Sequence, residues 1–179
     1  ASRAPPRIED VAQRVAELGD APMMRQKDLG IWRAYSWKQV STIASEIAAG
    51  LIRLGFEPGE VVSVLSNTRR EWSWTDLATL SAGGVCNGVY PTDSASQLQY
   101  LCSDSRSVYL FVENDEQLDK FLEVRDALPA IRKVIVFDME GLAGLDDPLV
   151  IGLDGLRELG RIELKERPDA VEKRRGTRQ

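Results

Sequence analysis

Three short polar stretches hold the residues whose types could do chemistry: Ser66-Asn67-Thr68, Tyr90-Pro91-Thr92-Asp93 and Glu113-Asn114-Asp115. Each follows a short apolar run and leads into a helix-start signature. Free N–H groups and the dipole at a helix N-terminus favour anions, so a phosphate or carboxylate is the ligand such loops would suit. Two readings stand for each loop, helix capping with packing and anion binding, because the same serine, threonine, asparagine and aspartate side chains serve both. None of the loops is glycine-rich. Neither G-x-G-x-x-G after a strand nor G-x-x-x-x-G-K-[ST] occurs, so a glycine cradle for phosphate is missing.

Composition narrows the remaining chemistry. The 179 residues include no histidine, which removes histidine-based nucleophile systems and histidine-ligated zinc. Asp146-Asp147 are adjacent in a loop and read as solvated rather than as an acid–base pair. Lys133 opens a strand and reads as an exposed edge residue. Cys86 and Cys102 lie in apolar, patterned segments, where cysteine behaves as a small hydrophobe; no disulfide framework and no metal site is expected. The tryptophans Trp32, Trp37, Trp72 and Trp74 cluster in the first half. Core packing is their default role, with an apolar wall beside a ligand tunnel as the alternative. A net charge of −5 argues against general nucleic-acid binding. No apolar run approaches the roughly 20 residues of a membrane helix, and Ala1 to Glu9 have no signal-peptide core. The reading is a cytoplasmic protein, with peripheral contact to a membrane left open.

The elements that must position the loops follow from periodicity. Ile8, Val11, Val15 and Leu18 share one helical face. Met23 to Lys27 and Ile31 to Tyr35 read as a small N-terminal hairpin around Asp28-Leu29-Gly30. Ser36 and Gln39 form a capping box, with Tyr35 and Val40 placed as a hydrophobic staple. The helix behind them keeps Val40, Ala44, Ile47, Ala48 and Leu51 in register, and Gly55 is its left-handed cap. Val61–Leu65, Val85–Tyr90, Val108–Val112 and Lys133–Phe137 are short apolar runs suited to strands buried on both faces. Between them, Thr68 with Glu71, Ser94 with Gln97 and Asn114 with Gln117 predict helix starts. Leu149–Ile151 is a further short strand, followed by a helix from Asp154 to Leu159. This alternation predicts an α/β fold: a mainly parallel sheet flanked by helices in flavodoxin-like layering, preceded by the hairpin. Residues 1–160 form the folded unit. Residues 161–179 hold seven Lys/Arg against four Asp/Glu and read as a charged linker or ragged end, or as a basic arm for phosphate or lipid headgroups.

The ordered motifs carry a family resemblance. Tyr35-Ser36-Trp37-Lys38-Gln39-Val40 resembles the first core motif of the adenylate-forming, AMP-binding superfamily. Leu80-Ser81-Ala82-Gly83-Gly84-Val85, running on to Tyr90-Pro91, resembles its second. Ser66 to Trp72, Asp76-Leu77-Ala78, Val89 to Thr92, Phe121 to Arg125 and Val134 to Asp138 are similar to bacterial long-chain fatty acyl-CoA synthetases. The resemblance spans about Arg25 to Gly160 and marks an N-terminal portion. It implies a two-step reaction in the full-length enzyme: a fatty acid carboxylate attacks ATP, with magnesium, to give an acyl-adenylate and pyrophosphate, and the thiol of CoA then displaces AMP. The family's Thr-Ser-Gly-Thr-Thr-Gly phosphate loop and its later nucleotide motifs do not occur in the sequence. No catalytic residue therefore transfers, no cofactor is expected on this chain alone, and the chain is expected to be inactive by itself. One transfer remains: the loop after the second core motif borders the CoA entrance in some relatives, which marks Tyr90, Pro91 and Thr92, with Asn67 nearby. Tyr35, Ser36, Trp37, Gln39, Gly83 and Gly84 carry over as structural motif positions only.

Three functions compete at this level. The chain is a ligase portion whose partner is the remainder of the same polypeptide, a stand-alone α/β binding module, or a small nucleotide-dependent enzyme, which the missing phosphate loop disfavours. An isolated front lobe would also expose apolar surface and self-associate.

Overall fold

The computed structural model describes residues 8–175. The opening residues 1–7, including most of the segment read for a signal-peptide core, and the last four residues of the charged tail lie outside the described residues. Helix α1 (Ile8–Leu18) precedes a hairpin of β1 (Pro22–Asp28) and β2 (Ile31–Ser36). These two strands pair antiparallel, with Lys27 opposite Trp32 and Asp28 opposite Ile31. Leu29 and Gly30 turn the chain with positive φ at both positions, 47° and 85°, the conformation a two-residue type I′ loop demands.

Helix α2 (Trp37–Arg53) starts as its capping box predicts: Ser36 Oγ accepts from the Gln39 N–H at 3.1 Å, and the Gln39 side chain accepts from the Ser36 N–H at 2.8 Å. It stops in a Schellman motif. The Phe56 N–H reaches the Leu51 carbonyl and the Gly55 N–H reaches Ile52, with Gly55 at φ 95°. Helix α3 (Arg70–Ser81) ends the same way, with Gly84 bonded to Thr79, Gly83 bonded to Leu80, and Gly83 at φ 84°. A Cβ on Gly84 would stand 2.3 Å from the Phe56 ring, so the second glycine is required by contact rather than by conformation.

Five parallel strands form the main sheet: β3 (Val61–Leu65), β4 (Val85–Val89), β5 (Ser107–Val112), β6 (Lys133–Val136) and β7 (Val150–Gly152). Their order is β4-β3-β5-β6-β7. Counted within the sheet this is 2-1-3-4-5, the flavodoxin-like order. Alternation along each strand feeds two cores. Val62, Val64, Tyr109, Phe111 and Ile135 meet α2, Trp74 and Ala78 of α3, and Leu156. Leu65, Leu110, Val112, Val134 and Val136 meet Leu98 and Cys102 of α4 (Ala95–Ser105) and Leu118 and Phe121 of α5 (Asp115–Val124). Layers of helix, sheet and helix result.

Two expectations are corrected. Thr68 does not cap α3: its N-cap is Arg69, with no side-chain cap bond. The Glu71 carboxylate is held instead by Arg69 and Arg70, and the Arg70 N–H donates to Gln26 Oε1 of β1 at 2.8 Å. The cap comes from the hairpin, 44 residues away. The tail is not a solvated run through 161–175. Helix α6 (Leu153–Glu166) continues past Leu159, and Val171 of α7 (Ala170–Arg175) is buried. Leu156, Gly160 and Glu163 face inward. A Cβ on Gly160 would lie 1.7 Å from the Glu46 carbonyl oxygen, so α6 touches the α2 backbone directly. The tail's charges are matched across that contact. Arg157 and Arg161 bind Glu46, and the fully buried Glu163 pairs with Arg53 at 3.2 Å and Arg167 at 2.5 Å. A charge pattern that reads as solvated in sequence is here a helix-to-helix seam.

Candidate functional site at the carboxyl edge of the sheet

In open parallel sheets ligands settle beyond the carboxyl ends of the strands, at the point where strand order reverses. Here that point lies between β3 and β5, so the loops after them, Ser66-Asn67-Thr68 and Glu113-Asn114-Asp115, face one another. Their side chains close the crevice. Glu113 Oε2 accepts from the Asn67 N–H at 2.8 Å, from Asn67 Nδ2 at 3.1 Å and from Ser66 Oγ at 3.3 Å. Glu113 Oε1 faces Arg69 Nη1 at 3.4 Å. The N–H and the guanidinium that an anion would seek are thus already held by a carboxylate of the chain itself. A triphosphate placed there would meet like charge, so the residues do not fit it.

The four sequence candidates separate. Asn67, Tyr90 and Pro91 line one cleft of about 280 Å³, floored by Trp72 and Gly88. Lys120 of α5 donates to the Pro91 carbonyl and fixes that loop. Thr92 follows Pro91 but is exposed and does not line the cleft. The motif positions are structural in their contacts. Tyr35 meets Trp74 edge-on, with ring centroids 5.3 Å apart, and Trp37 is half-buried at the start of α2. Core packing holds for Trp74, whereas Trp32 is 67% exposed. Trp32 is instead part of a larger cleft of about 620 Å³ between β1 and the start of α3, shared with Arg25, Lys27, Arg69, Arg70 and Glu113.

Sequence reasoning passed over Arg69 and Arg70. Two cations in the first turn of a helix oppose its dipole, and that mismatch was the available signal of outside partners. Arg70 lies over the rings of Tyr35 and Trp74 at 5.6 and 5.8 Å and is ion-paired to Asp28. The Arg70 hydrogen bond holds the Asp28 carboxyl below its ordinary value. Burial pushes both thiols up, Cys86 to about 12 and Cys102 to about 11. Among the described residues no group of three or more histidine, cysteine, aspartate or glutamate side chains could hold a metal ion, and no helix is long and apolar enough to cross a membrane.

The comparison that decides the family is with its sequence model: residues 11–150 match the AMP-binding enzyme model. The chain belongs to the AMP-binding enzyme family. Among curated relatives, a long-chain-fatty-acid–CoA ligase of Bos taurus is 29% identical over 155 residues, 87% of this chain and 21% of the relative. A long-chain-fatty-acid–CoA ligase of Mycobacterium bovis is 34% identical over 117 residues, 65% of this chain and 20% of the relative. The chain therefore spans about a fifth of the length of the curated relatives it matches. Among solved structures, the acetoacetyl-CoA synthetase of Streptomyces lividans shares the fold, with a TM-score of 0.74 at 22% identity over 84% of this chain and 24% of that one. The parallel sheet flanked by helices in this AMP-binding family member is thus the layering its sequence pattern implies.

Proposed function

We propose that this chain is the front, scaffold-bearing part of a long-chain fatty acid–CoA ligase. The observation that carries the reading is the match along most of the chain to ligases of that name from a mammal and a mycobacterium. In the full-length enzyme, fatty acid, ATP with magnesium, and CoA are the reactants, and the remainder of the polypeptide is the chain's partner. The work is cytoplasmic. This part supplies a rigid three-layer wall and no nucleotide cradle of its own, which the occupation of the switch-point crevice by Glu113 supports. Alone, it is inactive. The cleft of Asn67, Tyr90 and Pro91, with Thr92 beyond its rim, borders the CoA passage, and its position at the carboxyl edge of the sheet supports that assignment.

Fatty-acid-dependent ATP–pyrophosphate exchange tests the reading. The 179-residue chain gives no exchange, and the chain extended by the rest of its polypeptide exchanges with a long-chain fatty acid. Exchange by the short chain alone overturns the scaffold role. Absence of exchange in both favours a non-catalytic module. In the extended enzyme, Tyr90→Ala raises the KM for CoA while leaving the exchange, which precedes CoA, unchanged.

A further inference from the structure

The turn that carries Tyr90 and Pro91 is held from outside itself. The Asp93 N–H donates to the Tyr90 carbonyl at 3.0 Å, so these residues form a β-turn with Pro91 and Thr92 at its centre, and proline suits the first central position. A half-turn of the central peptide, Pro91 to Thr92, would convert type I into type II and reverse the Pro91 carbonyl. Two features oppose that flip. Type II needs positive φ at Thr92, which a β-branched residue resists; among the described residues only Leu29 and Arg106 are non-glycine residues at positive φ. The second feature is Lys120, 29 residues further along the chain, whose ammonium donates to the Pro91 carbonyl. It does so although Glu116, one turn earlier on α5, is spaced for an i,i+4 ion pair. Helix α5 is a firm base for this contact. Its Leu118 and Phe121 are buried in the same core as Val89 and Leu98, which lie on either side of the turn in the chain.

We propose, resting on the assignment of the cleft to the CoA passage, that Lys120 is a positioning residue for the step in which CoA reacts. Its bond fixes one orientation of the Pro91–Thr92 peptide, and with it the wall that Tyr90 and Pro91 present above Trp72 and Gly88. Lys120 does not line the cleft, so it acts through the turn rather than on the ligand. A preset wall spares CoA the ordering of the turn on binding. Thr92 acquires a role of the same kind: exposed and outside the cleft, it bars the alternative turn instead of touching a ligand. The contact lies within this chain and requires no free surface.

Lys120→Met keeps the aliphatic stem and removes the donor, whereas Lys120→Arg keeps a donor. In the 179-residue chain, Lys120→Met speeds hydrogen exchange of the Asp93 N–H about tenfold, the worth of one hydrogen bond from a charged donor. In the enzyme extended by the rest of its polypeptide, Lys120→Met raises the KM for CoA about tenfold on the same ground. Fatty-acid-dependent pyrophosphate exchange, which precedes CoA, stays as in the parent, and Lys120→Arg restores most of the loss. Thr92→Gly, which admits positive φ, also raises the KM for CoA, without removing any contact to the cleft. Tyr90→Ala is the control for the cleft itself. If Tyr90→Ala raises the KM for CoA and Lys120→Met does not, the positioning role is overturned and the CoA passage stands. If neither variant moves it, the cleft assignment falls and takes the proposal with it. Unchanged exchange at Asp93, equal losses of pyrophosphate exchange and CoA turnover in Lys120→Met, or a loss that Lys120→Arg leaves unrepaired each overturn the positioning role as well.

Discussion

Replacing Glu113 by alanine removes the carboxylate that closes the switch-point crevice, and the size of the effect follows from its contacts. The bond from the Asn67 N–H is the short one, at 2.8 Å. The bonds from Asn67 Nδ2 and Ser66 Oγ, at 3.1 and 3.3 Å, are longer. Hydrogen bonds to charged groups contribute about 1.5–3 kcal/mol net each when buried. Asn67 is exposed and its freed N–H rehydrates, which puts the set at the low end. The Arg69 pair at 3.4 Å is partly solvated and adds less than about 1 kcal/mol. The expected loss is about 2–3 kcal/mol. In urea, with a slope of about 2 kcal/mol/M, the unfolding midpoint falls by roughly 1–1.5 M at unchanged slope. Glu113→Gln keeps the shape and loses the charge, and falls about half as far. Both variants gain an anion-dependent term: phosphate stabilises them more than it stabilises the parent, at equal ionic strength, because the Asn67 N–H and Arg69 Nη1 are released while Arg69 stays paired with Glu71. A midpoint within about 0.2 M of the parent, with no phosphate-dependent gain, would refute the idea that Glu113 is the resident anion of the crevice.

Other consequences are as direct. Gly160→Ala drives a Cβ into the Glu46 carbonyl and costs about 3 kcal/mol or more, whereas Gly144→Ala, with nothing near its added methyl, is close to neutral; urea unfolding of the two variants checks the pair. Cys86 and Cys102 resist alkylation at pH 8 in the native state and react at once in urea, because burial raises both thiols; rapid native labelling of either would contradict its packing. Asp28 and Asp147 are held below the ordinary value of 3.8 by Arg70 and Arg125. Their contribution is therefore present above pH 3.8 and is lost as pH falls through their lower folded values. Unfolding midpoints decline below pH 4 in the parent, and the decline is shallower in Asp28→Asn and Asp147→Asn.

What sequence could and could not tell divides on the range of the forces involved. The cap at Ser36–Gln39 and the stop at Gly55 are local: the groups that satisfy one another lie within a few residues, and both are as the pattern implies. The strands Val61–Leu65 and Ser107–Val112 stand out because a sheet buried on both faces needs unbroken apolar runs. The start of α3 is legible to within two residues, but its cap is not, since Gln26 supplies it across 44 residues. The seam of α6 was hidden for the same reason. Arg157 and Arg161 find Glu46 across more than 110 residues, and a buried Glu163 interrupts the apolar period that would have marked the helix. At the candidate site, the alternation of strands and helices puts the loops of Asn67, Tyr90 and Pro91 at the sheet's carboxyl edge, and in the structure these three line one cleft. That Glu113 would cross to Asn67 depends on strand order, which no local pattern reports.

Equilibrium dialysis of MgATP against the purified chain, with CoA dialysed in parallel, bears most directly on the claim that this scaffold holds no triphosphate by itself. The account predicts no saturable ATP binding up to millimolar concentration. Saturable micromolar binding of ATP that Arg69→Ala abolishes would contradict it, because the crevice would then accept the very anion Glu113 is held to exclude.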